Sequence, residues 1–181
     1  MGDAKIAETL GGKIVGDSII IPFYGVDYRV TISQVTDMRA RPANAAVTAV
    51  LSEYYRHCPE SPPEDGPWIT CREFSGAGPL MGYFTTNTNK LIETAFADNA
   101  ASLDHACLHL GGKPTGDPGY DVSVIFSAFP RVPILFRFNG RDATLPAQCS
   151  LLFRKSAENY LDMKSMGVCG TWLAGNLISH Q

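Results

Sequence analysis

The spacing of apolar residues along the chain indicates a mixture of helices and strands. Beginning at Asn44, apolar residues recur at intervals of three and four positions, which places them on one face of a helix that ends by Pro59. This apolar stripe consists of Val47, Val50, Leu51 and Tyr54. The same spacing predicts further helices over residues 3–10, 86–96, 99–110 and 158–178.

Runs rich in β-branched and aromatic residues predict strands between these helices. The predicted strands span residues 18–23, 28–33, 68–74, 121–129, 132–138 and 148–153. Gly25 and the Pro130–Arg131 link lie between neighbouring strands and predict two hairpins. Pro133 has no N–H to give to a strand ladder, so we expect it near a strand end, a bulge or an edge.

Glycine and proline mark the places where regular structure is expected to stop or to pack closely. Residues 59–67 hold four of the chain's twelve prolines and are expected to form a loop between the two halves. The last predicted helix contains Gly167, Gly170 and Gly175, each of which costs about 1 kcal/mol relative to alanine. These glycines predict either close packing against a neighbour or a break near Gly167–Gly170.

An eight-residue cassette occurs twice, as LGGKIVGD at Leu10–Asp17 and as LGGKPTGD at Leu110–Asp117. Each copy follows a predicted helix and precedes a predicted strand pair. In the first helix Asp3 is the expected cap, and Gly11–Gly12 is the expected stop, because glycine readily adopts the left-handed conformation. The repeat indicates either a duplicated helix–hairpin unit or convergence on a good helix stop. A structural role is favoured over phosphate binding, because a phosphate loop opens a helix, whereas these glycines end one.

These elements predict one α+β domain over residues 1–181, with antiparallel hairpins in one sheet and helices mainly on one face. The 45% apolar fraction is that of a globular protein. The net charge of −3 and the scattered cations argue against nucleic acid as a partner. The longest uncharged apolar run, residues 122–130, is too short for a membrane helix, so we expect a cytoplasmic protein without membrane contact.

Candidate metal ligands are His105 and His109, which are four residues apart and share one face of a predicted helix. The alternative for both is an exposed polar helix face, because HxxxH lacks the glutamate of the zincin motif. The adjacent His57 and Cys58 point about 100° apart on a helix, which disfavours nucleophilic chemistry. The five cysteines include no CxxC pair, which fits reduced thiols in cores.

One glycine-rich segment and three arginines are further candidates. The segment GAGPLMG, residues 76–82, has GxGxxxG spacing with an internal proline, so we interpret it as a turn and not as a dinucleotide loop. Arg72, Arg131 and Arg137 lie in or beside apolar strands. Each of them could bind a carboxylate or phosphate, or could face solvent from the open side of a sheet.

The cassettes, the WITCREF strand with its SGAGP turn, and the block FPRVPILFRFNGRDATLPAQCSLLFRKSAENYL together resemble the family called domain of unknown function 3786. The resemblance covers nearly the whole chain and is weakest over residues 59–67. It implies no established activity and no catalytic residue. Members occur largely in anaerobes, and some are joined to a cysteine-rich iron–sulfur module of the kind found with corrinoid proteins. This chain lacks that cysteine tetrad.

Two functional hypotheses fit the sequence and the resemblance. The first is a non-catalytic binding or accessory module associated with anaerobic one-carbon, corrinoid or iron–sulfur metabolism, with a small molecule or a protein as partner. The second is a small, metal-dependent enzyme with a site near His105 and His109. The sequence identifies no cofactor. A homodimer formed through an exposed strand edge is a further hypothesis about assembly.

Overall fold

The computed structural model describes residues 2–181 and contains α-helices and antiparallel strands. The helices are α1 (Asp3–Leu10), α2 (Ala45–Arg56), α3 (Met81–Phe84), α4 (Lys90–Phe96), α5 (Ala100–His109) and α6 (Met163–Ser179). The strands are β1 (Lys13–Val15), β2 (Ser18–Phe23), β3 (Val26–Val30), β4 (Val35–Asp37), β5 (Trp68–Thr70), β6 (Lys113–Pro114), β7 (Val122–Phe129), β8 (Val132–Asn139) and β9 (Gln148–Arg154). A π-helical turn at Thr85–Asn89 joins α3 to α4.

The strands form two sheets, so the α+β class and the antiparallel hairpins are confirmed, whereas the expectation of one sheet is wrong. The first sheet has the order β1-β2-β3-β4, and the second has the order β5-β9-β8-β7-β6. Each predicted hairpin lies in its own sheet. The short strand before the hairpin pairs with the first hairpin strand, β1 with β2 and β6 with β7, and so occupies that strand's other edge. Between β2 and β7 the Tyr24 N–H donates a backbone hydrogen bond to the Ala128 carbonyl over 3.0 Å.

One hydrophobic cluster includes buried residues from both sheets and from the helices. On β8 the alternate residues Ile134, Phe136 and Phe138 are fully buried, and Arg137 lies on the opposite face of the sheet. Helix α6 packs against α2, α3, α4 and α5 and so lies at the centre of the helical layer. In the part of the chain that the structure describes, no helix has the length and hydropathy needed to span a bilayer.

Side-chain caps fix the starts of the two helices whose caps are asparagines. The Asn44 side chain accepts from the Val47 N–H over 2.9 Å, and the Asn99 side chain accepts from the Ser102 N–H over 3.0 Å. The predicted cap at Asp3 is wrong. Asp3 is the first helical residue, and Gly2 precedes it without a side-chain hydrogen bond.

Several predicted elements differ from the structure for identifiable reasons. The helix predicted over residues 158–178 begins at Met163, where the Asp162 side chain caps it. The strand predicted over residues 68–74 ends at Thr70, because Glu73 folds back and accepts from the Thr70 N–H over 2.8 Å, which closes a 3₁₀ turn. The strand predicted over residues 28–33 begins at Val26, because the turn before it uses only two residues. The break predicted near Gly167–Gly170 is absent, and α6 runs unbroken to Ser179.

Pro133 behaves as expected in a strand that contains an irregularity. It is the second residue of β8 and pairs with Ser127, next to a register shift between Ser127 and Phe129. A proline is tolerated at such a bulge because the local ladder is already interrupted.

Candidate functional site

The two candidate metal ligands lie on the exposed side of α5. His105 and His109 are both exposed, and the nearest aromatic partner of His109 is His180, with 4.6 Å between ring centroids. His180 Nδ1 lies 2.8 Å from the Asn176 carbonyl oxygen and 3.2 Å from the Ser179 hydroxyl. Among residues 2–181, no three histidine, cysteine or acidic side chains are grouped as a metal site would require.

His57 occupies the C-terminal end of α2. Its Nδ1 lies 3.1 Å from a carboxylate oxygen of Glu53, one turn earlier. The neighbouring Cys58 is half-buried, and burial raises the pKa of its thiol. The histidine therefore has a carboxylate partner at the end of its own helix, and the geometry gives it no role in activating this thiol.

The three candidate arginines have three different environments. Arg131 donates from Nε to the Thr9 carbonyl and from a terminal nitrogen to the Glu8 carbonyl, both over 3.1 Å, and so binds the C-terminal end of α1. Arg137 pairs with Asp117 over 3.1 Å and lies 4.7 Å above the Tyr120 ring centroid. Both guanidinium groups are held by partners within the chain.

Arg72 is exposed and lines a cavity of about 330 Å³. Cys71, Met81 and Asn89 line the same cavity. Burial raises the pKa of the Cys71 thiol to about 11, which leaves the thiol protonated near neutral pH. The SGAGP turn leads from this cavity into a 3₁₀ turn and then into α3. Its interpretation as a turn agrees with the structure, and the cavity has no activated nucleophile.

A more enclosed and more apolar cavity, of about 260 Å³, lies between α6 and the segment that contains α3. We call it the α6 cavity; it is lined by Leu80, Tyr83, Phe84, Met163, Lys164, Gly167 and Val168. Tyr83 keeps 56% of its surface exposed at the rim, whereas Phe84 and Met163 are buried. An apolar cavity with a small number of polar groups is the usual form of a ligand site.

The floor of the α6 cavity is Gly167. This residue is buried, yet a β-carbon built on it would have no atom of the described residues within 4 Å, apart from its chain neighbours and the backbone of its own helix. The space above Gly167 therefore belongs to the cavity and is not occupied by a neighbouring side chain.

Gly170, one turn further along α6, has the opposite environment. A β-carbon there would lie 2.8 Å from the Phe84 ring and 3.1 Å from the Thr88 hydroxyl. Gly170 thus allows the segment with the π-helical turn to pack closely on α6, and this packing explains why the helix does not break. The prediction of close packing is confirmed at Gly170.

Sequence reasoning did not identify the α6 cavity. The glycines of α6 were the available signal, but their pattern does not distinguish a residue that packs closely from one that leaves space. The pairing of Gly167 with Leu80 and Tyr83 depends on a contact between segments about 85 residues apart, which no local spacing reveals.

A family model with the description "Domain of unknown function (DUF3786)" matches residues 4–176 of the chain. No curated protein and no solved structure matches the chain.

Proposed function

Because the chain belongs to the DUF3786 family, whose description assigns no activity, we propose from its geometry that it is a non-catalytic binding module. In this proposal the α6 cavity receives an apolar group, which a small molecule or a protein partner provides. The single observation that carries the proposal is the buried Gly167 with open space above it.

Gly167 has an energetic cost that no contact among the described residues offsets. A glycine inside a helix costs about 1 kcal/mol relative to alanine. At Gly170 the close contact with Phe84 offsets this cost, because a larger residue would collide with the ring. At Gly167 the described residues offer no such contact, so a group from outside the chain is the partner that would use the space.

The chemistry of the lining favours binding over catalysis. Leu80, Phe84 and Met163 supply apolar surface, and the exposed Tyr83 supplies an aromatic face with a polar tip. Among the described residues of this lining, Lys164 and Tyr83 are the ionisable ones, and the lining pairs neither of them with an acid or a base. A nucleophile with an adjacent base, which covalent catalysis requires, is not found there.

Indole is a suitable neutral probe, because it is flat, apolar and matched to a cavity of this size. Titration of indole into ¹⁵N-labelled protein should shift the amide signals of Gly167 and Val168 in a saturable way. Gly167→Leu should fill the space and abolish the shifts. Gly175→Leu is the matched control, because Gly175 lies on the exposed side of the same helix with open space around it.

A less drastic variant guards against misfolding of Gly167→Leu. Gly167→Ala should raise the free energy of unfolding by about 1 kcal/mol through helix propensity. It should also weaken indole binding, because its methyl group enters the cavity. Indole shifts that survive Gly167→Leu, or that appear nowhere near Gly167, would overturn the proposal.

The metabolic setting of this module is a further part of the proposal. We propose that it works in the cytoplasm, as the short apolar runs of the sequence suggest, and in anaerobic one-carbon, corrinoid or iron–sulfur metabolism, as the resemblance of the sequence to its family suggests. Purification from an anaerobic host under anoxic conditions, followed by identification of proteins that dissociate when Gly167→Leu is introduced, tests it. Partners drawn from unrelated processes would contradict the setting.

The second candidate is a small, metal-dependent enzyme with a site near His105 and His109. The proximity of His180 to His109, with 4.6 Å between the ring centroids, favours it. Metal analysis of protein purified without a histidine tag provides the test. Stoichiometric zinc or iron that disappears in a His105→Ala/His109→Ala variant would support the enzyme, and metal-free protein with unchanged stability in that variant would exclude it.

A further inference from the structure

We propose that the α6 cavity takes a small amphiphilic carboxylate, whose apolar ring or chain lies on Gly167 and whose carboxylate lies near Lys164 and Arg56. This inference rests on the proposed function and adds the class of ligand to it.

A second cavity, of about 530 Å³, adjoins the α6 cavity along the groove between α2 and α6. Lys164 and Val168 line both cavities, so a ligand that reached from one to the other would pass these residues. The second cavity is lined along the whole length of α2, from Ala45 to Arg56, and by the start of α6. Apolar and polar groups both contribute to it, and its charged residues are Glu53, Arg56, Asp162 and Lys164. A single ligand that spans both would therefore meet apolar surface at one end and charge at the other.

The charges of the second cavity differ in how they are engaged. Glu53 is paired with His57 over 3.1 Å, and Asp162 accepts from the Ser165 N–H over 2.7 Å as the cap of α6. Arg56 and Lys164 are exposed, and neither forms an ion pair with any residue in the described range 2–181.

The formal charges of these four side chains sum to zero, but the two cations are more available to a ligand than the two carboxylates. Both carboxylates are fixed by contacts within the chain, whereas both cations end in long, flexible side chains that can turn toward a ligand. An arginine and a lysine bind a carboxylate through charge-assisted hydrogen bonds. The unengaged cations beside an apolar cavity thus complement an amphiphilic anion.

Three probes with the same ring and different charge test the inference. Indole is neutral, indole-3-propionate carries a carboxylate, and tryptamine carries an ammonium group. We expect indole-3-propionate to bind about three- to tenfold more tightly than indole, because one or two exposed ion pairs contribute that much. Tryptamine should bind more weakly than indole. The advantage of the carboxylate should shrink as the salt concentration rises, because salt screens exposed charges.

Variants assign the effect to the two cations. Arg56→Gln should reduce the preference for indole-3-propionate and leave the affinity for neutral indole unchanged. Lys164→Gln should reduce the same preference, and it is judged by the ratio of the two affinities, because Lys164 also lines the α6 cavity. Arg39→Gln is the control, because Arg39 is exposed and does not line either cavity.

The outcomes separate the two proposals. If none of the three probes shifts the signals around Gly167, the proposed function fails. If all three bind alike, or if tryptamine binds most tightly, the cavity binds apolar groups and the carboxylate inference fails. If the preference for indole-3-propionate survives both glutamine substitutions, the assignment to Arg56 and Lys164 is wrong.

Discussion

The two copies of the LGGK cassette end their helices in the same way. Gly11 and Gly111 both take the left-handed conformation, with φ of 73° and 78°. The next residue of each copy then donates to the carbonyl five positions earlier, Gly12 to Ala7 over 2.7 Å and Gly112 to Cys107 over 2.8 Å. The prediction that both glycine pairs stop helices and pass the chain to hairpins is confirmed.

Beyond the helix stop, the two copies differ in the length of the first turn. Lys13 pairs with Ile20, seven residues later, whereas Lys113 pairs with Ile125, twelve residues later. The second copy therefore has five more residues in its first turn, and this longer loop carries Asp117 to its partner Arg137.

The hairpin tips differ as well. Tyr24 and Gly25 both have positive φ, 47° and 77°, as a tight two-residue hairpin requires. At the second tip Arg131 binds the carbonyls at the end of α1, and Pro130 lies against Gly11. A duplication requires that the two copies have equivalent surroundings. The two copies differ at the hairpin tip, where the second unit contacts the end of α1 in the first unit.

The largest expected difference concerns Gly11 and Gly111. Alanine at Gly111 should cost about 1–2 kcal/mol, because only the left-handed backbone disfavours it. Alanine at Gly11 should cost about 2–4 kcal/mol, since its β-carbon would also lie 2.7 Å from Pro130. Urea unfolding of the two variants measures both values. Equal losses would mean that the contact with Pro130 relaxes freely.

A smaller effect is expected at Arg131, which has no equivalent in the first hairpin. Arg131→Ala should lower the free energy of unfolding by about 1–2 kcal/mol, because the last carbonyls of α1 lose a cationic donor. Arg131→Lys should retain part of this, since one ammonium group replaces two donors of a fixed guanidinium. An alanine variant as stable as the natural protein would show that water replaces the arginine without cost.

The smallest effect, and the smallest difference, is expected at Gly16 and Gly116. Their φ values are 64° and 69°, and a β-carbon at either would have no described atom within 4 Å. Gly16→Ala and Gly116→Ala should therefore each cost about 1 kcal/mol. Thermal unfolding of the two variants measures these costs. A much larger loss of stability in one variant than in the other would contradict the local equivalence of the copies.

Local signals in the sequence were enough to predict the helix ends and hairpins. An asparagine cap followed by an apolar stripe predicts α2, and the Leu-Gly-Gly stops predict the ends of α1 and α5. These features depend on residues within one turn of each other. The number of sheets was not predictable in this way, because β1, β4 and β6 are too short to produce an alternating pattern.

The candidate site depended on contacts that are distant in sequence. His105 and His109 share a helix face as predicted, but the ring beside His109 belongs to His180, 71 positions later. Gly167 and Gly170 look alike in the sequence, and only the position of Phe84 distinguishes open space from close contact. Side-chain neighbours of this kind are set by tertiary packing, which periodicity does not encode.

The contact between Tyr24 and α6 links the local unfolding of the first hairpin to that of the helix. Tyr24 donates its hydroxyl proton to the Cys169 carbonyl over 2.9 Å, and its ring stacks on Trp172 at 4.4 Å. The first hairpin is thus attached to α6, the helix that forms the floor of the α6 cavity. Amide protons of β2 and of the middle of α6 should exchange with solvent in one concerted event. A ligand on Gly167 would then slow exchange in a hairpin that it never touches.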